Sequence, residues 1–328
     1  MIDIENPTLF NQQFVDAVKA APDGINKSAS AAATEMTRRI LREDKFSSAI
    51  LPYADVTDDQ LDRLLDREDP VIIYEMEPAI PGAMTISNES TGSTRTFRAD
   101  KYLLTFHTNT TPVWTKDVNL LRTYKSNVRQ VIIDNSLRDL SRQADVDFMA
   151  GVNAIVGAIP GGVSPETGLE QFVHYSGRLD RQNWVNCKQL LRDRYLLNGV
   201  FLCNSRTWSQ FEQWDRNEMG GDFSGELALK GSGAFAEATF GGVDFIVTMK
   251  NDLVGNGELY QFTKPNFLGH AGVLEPPTMY VKKDKDILSF SCREKIGVVI
   301  ANTAGVQKVV FDGITGPTGG DGRLLPGA

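Results

Sequence analysis

From Thr115 to about Val156 the chain carries apolar residues at helical spacing with no proline among them. Val118, Leu121, Tyr124, Val128, Val131, Ile133, Leu137, Leu140, Ala144 and Phe148 recur mostly three and four apart, and Gly151 comes only near the end. Thr115 is the expected N-cap, with Asp117 in the first turn. About forty helical residues extend about 60 Å, several times the ordinary globular helix. The spacing is too irregular for a coiled coil. The pattern predicts a single long spine along which another layer packs.

The segment before it is equally unusual. "VIIYEMEP" (Val71–Pro78) and "KYLLTFHTNT" (Lys101–Thr110) read as strands, joined by the Gly-, Pro-, Ser- and Thr-rich "AIPGAMTISNESTGSTRTFRAD". An isolated two-stranded ribbon cannot bury a face on itself. It is expected to lie either on its own domain or on a neighbouring molecule.

Further along, the periodicity becomes compact. "DRQNWVNCKQLLRDRYLLNG" reads as a helix with Trp184, Cys187, Leu191 and Tyr195 on one face, and Asn198-Gly199 as its left-handed stop. "VFLC" (Val200–Cys203) is a continuous apolar strand of the kind buried on both faces. Asn204 or Ser205 then caps "RTWSQFEQW", with Trp208, Phe211 and Trp214 three apart. "VDFIVTMKND" and "ELYQFTKPNFLGHAG" read as strands. Three antiparallel strands are expected within "PTMYVKKDKDILSFSCREKIGVVIANTAGVQKVVF". The first fifty residues read as helical pieces, and "VTDDQLDRLLDRED" as a helix capped by Thr57, with Leu61, Leu64 and Leu65 on one side.

Catalytic constellations are hard to find. Gly231, Gly233 and Ala236 in "LALKGSGAFAEATFGG" have the spacing of a dinucleotide fingerprint, but Gly241-Gly242 and a strand pattern follow where a helix is required. His107, His174 and His270 have no ligand-spaced neighbours, and Cys187, Cys203 and Cys292 form no C-x-x-C. No metal or other cofactor is expected. Acidic pairs such as Asp145/Asp147 read as solvated helix faces. The formal net charge of −8 argues against a dedicated nucleic-acid binder. The N-terminal "MIDIENPTLFNQQF" has neither a basic nor an apolar signal region, so an intracellular protein is expected.

The order of these elements resembles the major capsid protein of tailed bacteriophages, a fold shared with encapsulins. The motifs that carry the likeness are "YLLNGVFLCNSRTWSQFEQW" (Tyr195–Trp214), "GGVDFIVTMKND" (Gly241–Asp252) and "TPVWTKDVNLL" (Thr111–Leu121). The resemblance implies an α+β chain: an N-terminal arm (1–70), an extended β-ribbon loop (71–114), a peripheral domain built on the spine helix (115–178), an axial α/β domain (179–265), peripheral-domain strands (266–312) and a flexible tail (313–328). It implies a structural, non-enzymatic subunit that assembles with itself, as hexamers and pentamers, into an icosahedral shell around double-stranded DNA. The shell forms in the host bacterial cytoplasm and ends in the virion, with no membrane involved.

Implied inter-subunit contacts are Met84, Arg95, Arg98 and Lys101 in the ribbon and Arg138 and Arg142 on the spine. Gly231 and Gly233 would lie in a pliable axial loop near the five- and six-fold axes. Some relatives cross-link the ribbon through a Lys–Asn isopeptide bond. Lys101 sits at the ribbon's base, so that chemistry is not carried over. The short arm favours a separate scaffolding protein, and the resemblance implies a portal and a decoration protein as further partners. The alternatives are an encapsulin-like compartment shell and a soluble α+β enzyme.

Overall fold

Alternation along the strand Asn198–Asn204 organises the molecule. Phe201 and Cys203 enter one core, while Val200 and Leu202 enter another on the opposite face. That two-sided burial is why the segment is apolar without interruption. The computed structural model describes residues 24–25, 45–62, 69–77, 100–117, 128–157, 170–214 and 235–314.

In chain order, the first strands are β1 (Gly24–Ile25), β2 (Tyr53–Asp55), β3 (Val71–Glu75), β4 (Lys101–Thr105), β5 (His107–Thr110), β6 (Trp114–Asp117) and β7 (Phe172–Tyr175). Then come β8 (Asn198–Asn204), β9 (Phe235–Phe240), β10 (Val243–Thr248), β11 (Glu258–Thr263), β12 (Gly269–Asp284), β13 (Ile287–Ile300) and β14 (Val306–Phe311). The α-helices among the described residues are α1 (Phe46–Ile50), α2 (Val128–Val156), α3 (Arg181–Arg192) and α4 (Ser205–Glu212).

The first six-stranded sheet is built on the long β12–β13 hairpin, with β1 and β2 on β12 and with β5 and β6 on β13. The second has the order β7-β14-β11-β8-β10-β9, with β8/β10 and β14/β7 parallel. β3 and β4 form a separate two-stranded ribbon. Gly241 and Gly242, with φ of 59° and 77°, make the two-residue hairpin turn that joins β9 to β10.

Helices α3 and α4 cover one face of the second sheet. Trp184, Phe201, Trp208, Phe211, Phe240 and Phe245 interlock there, with ring centroids 5.0–6.2 Å apart. Such pairs add about 0.5–1.5 kcal/mol each beyond area burial. The other face packs Leu202, Ile246, Tyr260 and Phe262 against Phe148, Met149, Val152 and Val156 of α2 and Phe46 and Ile50 of α1. The spine's buried row, Ile133, Leu137, Leu140, Ala144, Phe148 and Val152, keeps the predicted three-to-four spacing, and the helix packs on β13.

Several expectations are corrected. Thr115 is not an N-cap: residues 114–117 are β6, paired with Ile287–Phe290, and the described helix begins at Val128. The pairing edge of β13 needs partners along its length. β5 and β6 supply them on either side of Pro112, overriding the local helical pattern. After Thr57, where a helix is expected, the described residues make a 3-10 turn (Asp58–Gln60), and Leu64 and Leu65 lie outside the described residues. Asp62 then bridges to Val71, and its carboxylate accepts the Ile73 N–H at 2.8 Å, which commits Asp62 to the root of the ribbon rather than to a helix.

The third C-terminal strand, β14, leaves its two predecessors and joins the second sheet between β7 and β11, so residues 306–311 and 172–175 belong with the unit predicted for 179–265. The ribbon ends at Thr105, because β5 already pairs with the first sheet.

The stop after α3 is a correction with more content. Tyr195, not Asn198-Gly199, takes the left-handed conformation (φ 60°). The Tyr195 N–H donates to Arg192 O at 2.9 Å and the Leu196 N–H to Leu191 O at 3.0 Å, a Schellman motif with tyrosine in the place glycine usually holds. Gly199 is committed elsewhere. It lies inside β8, where a Cβ would come within 2.6 Å of Thr263 O. As expected, Asn204 caps α4, accepting the Thr207 N–H at 2.8 Å. Of the first fifty residues, expected as helical pieces, Phe46–Ile50 is helical, but Gly24–Ile25 is a strand paired with Lys282 and Lys283 of β12; the rest, apart from Lys45, lie outside the described residues.

Candidate assembly surfaces

The ribbon's root is anchored by its own chain. Ile72, Leu104 and Phe106 form a small core with Val56, Leu61, Tyr74, Leu274 and Val299. Two glycines of the first sheet make room for it. A Cβ on Gly297 would stand 2.6 Å from Thr105 O, and one on Gly272 2.9 Å from Val56 Cγ2. The imidazole of His270, on β12, stacks on Tyr74 at 4.1 Å, with Tyr102 at 6.1 Å on the same parallel stack. Burial pushes His270 below its ordinary pKa and Tyr102 above its own.

Lys101 lies at this root, cross-strand from Glu75, with the charged groups 3.1 Å apart and both side chains largely in water. A pair so exposed contributes at most about 1 kcal/mol. Met84, Arg95 and Arg98 lie outside the described residues, as do Gly231 and Gly233.

On the spine, Arg138 is exposed, and Arg142 donates from Nη2 to Asp252 Oδ2 at 2.7 Å across the surface. The expectation of a solvated acidic face fails at Asp145, whose side chain is 0 % exposed. Its Oδ2 accepts from Lys250 Nζ at 2.6 Å, and its Oδ1 accepts the Ser47 N–H at 3.0 Å. Burial pushes the Asp145 carboxyl upward, against the pull of Lys250 and Ser47. Lys45 makes a second buried pair, with Glu294 Oε2 at 2.8 Å. Together these bonds tie α1, the spine, β13 of the first sheet and the loop after β10 of the second into one junction.

The groups with chemical potential are spent on structure. Burial holds the Cys187 and Cys292 thiols up to about 12 and pushes Cys203 upward as well, so all three are protonated core side chains. His174 pairs with Asp312 at 2.6 Å and His107 with Asp147 at 3.2 Å, on different sheets. No group of three or more metal-ligating side chains converges among the described residues. No described helix is long and apolar enough to cross a membrane.

A two-sided sheet with helices on one face and a long spine helix on the other, beside another sheet next to a two-stranded ribbon, is a fold shared with solved structures of a capsid particle and of phages. Solved structures with this fold include the capsid of an empty GTA particle computed with C5 symmetry, at a TM-score of 0.54 and 12 % identity over 80 % of this chain and 88 % of that one. A chain of Microbacterium phage Oxtober96 matches at 0.55 and 9 % identity, covering 82 % and 92 % of the two chains. One of Mycobacterium phage Ogopogo matches at 0.53 and 14 % identity, covering 89 % and 93 %. No protein-family model matches the sequence, and no curated protein is similar to it.

Proposed function

We propose that this chain is a major capsid protein, a non-enzymatic subunit that assembles with copies of itself into the icosahedral shell of a tailed phage around double-stranded DNA. The reading is carried by the fold match, which extends over four-fifths or more of this chain and nearly all of each similar chain. The unit around the second sheet serves as the axial domain, and the first sheet with the spine as the peripheral domain. The ribbon beyond its root reaches a neighbouring copy, with Met84, Arg95 and Arg98 at that contact and Lys101 beside it.

Arg138 and Arg142 face an adjacent subunit along the spine, and Gly231 and Gly233 adapt the axial loop to rings of five and six. A portal and a separate scaffolding protein complete the assembly in the host bacterial cytoplasm. The acidic balance of the chain supports enclosure of DNA without gripping it. Expression followed by size exclusion and negative-stain microscopy tests the reading. Shells, or hexamers and pentamers, are expected; a subunit that stays monomeric at high concentration with scaffolding protein supplied would overturn it.

A further inference from the structure

The outer face of α4 carries Arg206, Ser209, Gln210 and Gln213, a stripe at helical spacing opposite the buried Trp208 and Phe211. Across from it stands Arg178, on the turn after β7, with Gly313 and Ile314 closing the floor. These residues enclose a cleft of about 230 Å³. That is smaller than the roughly 300–1,000 Å³ of sites for drug-sized molecules.

Its walls are well fixed. Gly313 N–H donates to Gly177 O at 2.8 Å, and Trp214 Nε1–H donates to Leu179 O at 3.1 Å, tying both ends of the arginine-bearing turn to the body of the domain.

Among the described residues the lining has no carboxylate. Three acids of the described residues stand within two positions of the lining: Asp180 Oδ1 accepts the Asn183 N–H at 2.7 Å, Asp312 Oδ1 meets His174 Nε2 at 2.6 Å, and Glu212 is exposed on α4 outside the lining. Two guanidinium groups therefore share one concavity without a neutralising partner among the described residues, in a chain whose overall charge is −8. The Ser209 hydroxyl is used on Arg206 O at 2.8 Å, so the donors among the lining side chains are the Arg178 and Arg206 guanidinium groups and the Gln210 and Gln213 amides. Two arginine forks and two amides offer more donors than the two oxygens of one carboxylate can accept. A phosphate group matches that supply better, because its unesterified oxygens (two in a diester, three in a terminal phosphate) carry more lone pairs and project tetrahedrally rather than in one plane.

We propose that the Arg178/Arg206 cleft binds a phosphate group, either free or as part of a nucleic-acid backbone. Calorimetric titration of the full chain with inorganic pyrophosphate and, separately, with a short DNA duplex tests it. Wild-type protein is expected to bind at least one probe. Binding should weaken at least tenfold in R178A/R206A, with each single variant in between, and circular dichroism should show the fold retained. R178K/R206K, which keeps the charge but loses the fork geometry, should recover only part of the affinity.

Pyrophosphate binding without duplex binding assigns the site to free phosphates. Duplex binding that pyrophosphate competes away assigns it to the backbone. No binding of either probe by the wild-type chain, or binding unchanged in R178A/R206A, overturns the proposal.

Discussion

Replacing Lys250 with methionine tests the junction that joins the two sheets to the spine. In the native chain the Asp145 side chain is 0 % exposed and Lys250 is 17 % exposed, with 2.6 Å between their charged atoms. K250M leaves a carboxylate sealed from water with only the Ser47 N–H as partner. Breaking a buried pair this way costs about 3–5 kcal/mol. D145N should cost less, about 1–3 kcal/mol. Its amide oxygen still accepts the Ser47 N–H, and the Lys250 ammonium can follow its flexible stem to solvent.

The double variant D145N/K250M leaves no unpaired charge at this site and should recover about 2 kcal/mol relative to the sum of the singles. The sign with pH follows from the same geometry. Burial already raises the Asp145 carboxyl in the native fold, and loss of the ammonium raises it further. A group raised on folding contributes stability that is full below its unfolded pKa, about 4, and is lost as pH rises through the folded value. The K250M deficit should therefore be larger at pH 8 than at pH 4. Urea titration of the dissociated subunit, read by the fluorescence of Trp184 and Trp208, measures all of this. A K250M deficit no larger than that of D145N, or one independent of pH, would refute a desolvated, ionised Asp145.

Four further outcomes are expected. Replacing residues 81–99 by a short Gly-Ser link should leave subunit stability unchanged, because the root core of Ile72, Leu104 and Phe106 remains, yet microscopy should show no closed shells; an unfolded subunit would count against a quaternary role for the ribbon. Gly297→Ala places a Cβ 2.6 Å from Thr105 O and should cost about 1–3 kcal/mol. Hydrogen exchange should quicken first at Lys101–Thr105, and slow exchange there would contradict the close approach. His270, lowered by burial, supports the root while neutral; that contribution is full above its unfolded pKa of about 6.5 and fades as pH falls towards the folded value. Exchange at Ile72–Glu75, corrected for intrinsic rates, should rise at pH 5 and lose that dependence in H270F. Tyr195→Gly should stabilise the subunit by about 1 kcal/mol by relieving the left-handed backbone; a side chain 98 % exposed offers no packing to lose, so destabilisation would refute this account.

The parts of the fold that were legible in the sequence are those where one element's own pattern decides its burial. VFLC is apolar throughout because helices cover one side of β8 and the spine the other. Trp184, Cys187 and Leu191 share a face because α3 lies on a flat sheet, and Asn204 caps α4 through a bond three residues long. Such signals are local, and the structure repeats them. Where a distant partner decides, the pattern misleads. Thr115 has the neighbours of a helix start, but the open edge of β13, more than 170 residues away, claims it as strand. β14 follows β13 closely in sequence and yet crosses to the other sheet, because the site between β7 and β11 needs a strand there.

The candidate assembly surface leaves no spacing in the sequence, and the reason is physical. A catalytic centre concentrates a few residue types in fixed geometry, so it leaves spacings in the sequence. A surface that meets copies of itself needs complementary shape and charge over a wide area, and any one residue in it can be ordinary. Lys101 and Arg142 illustrate the difficulty, since each already has an exposed partner within the chain, at Glu75 and Asp252. Asp145 shows the converse. Expected on a solvated helix face, it belongs instead to the interior, and only the long-range approach of Lys250 and Ser47 makes that burial tolerable. The spine helix therefore has two kinds of charge on it. Arg138 and Arg142 are free to exchange an internal or solvent partner for an external one, while Asp145 cannot leave its place without separating the two sheets. That division predicts where substitutions act: charge reversal at Arg138 or Arg142 should change assembly without shifting the subunit's urea midpoint, whereas substitution at Asp145 should lower the midpoint before any assembly begins.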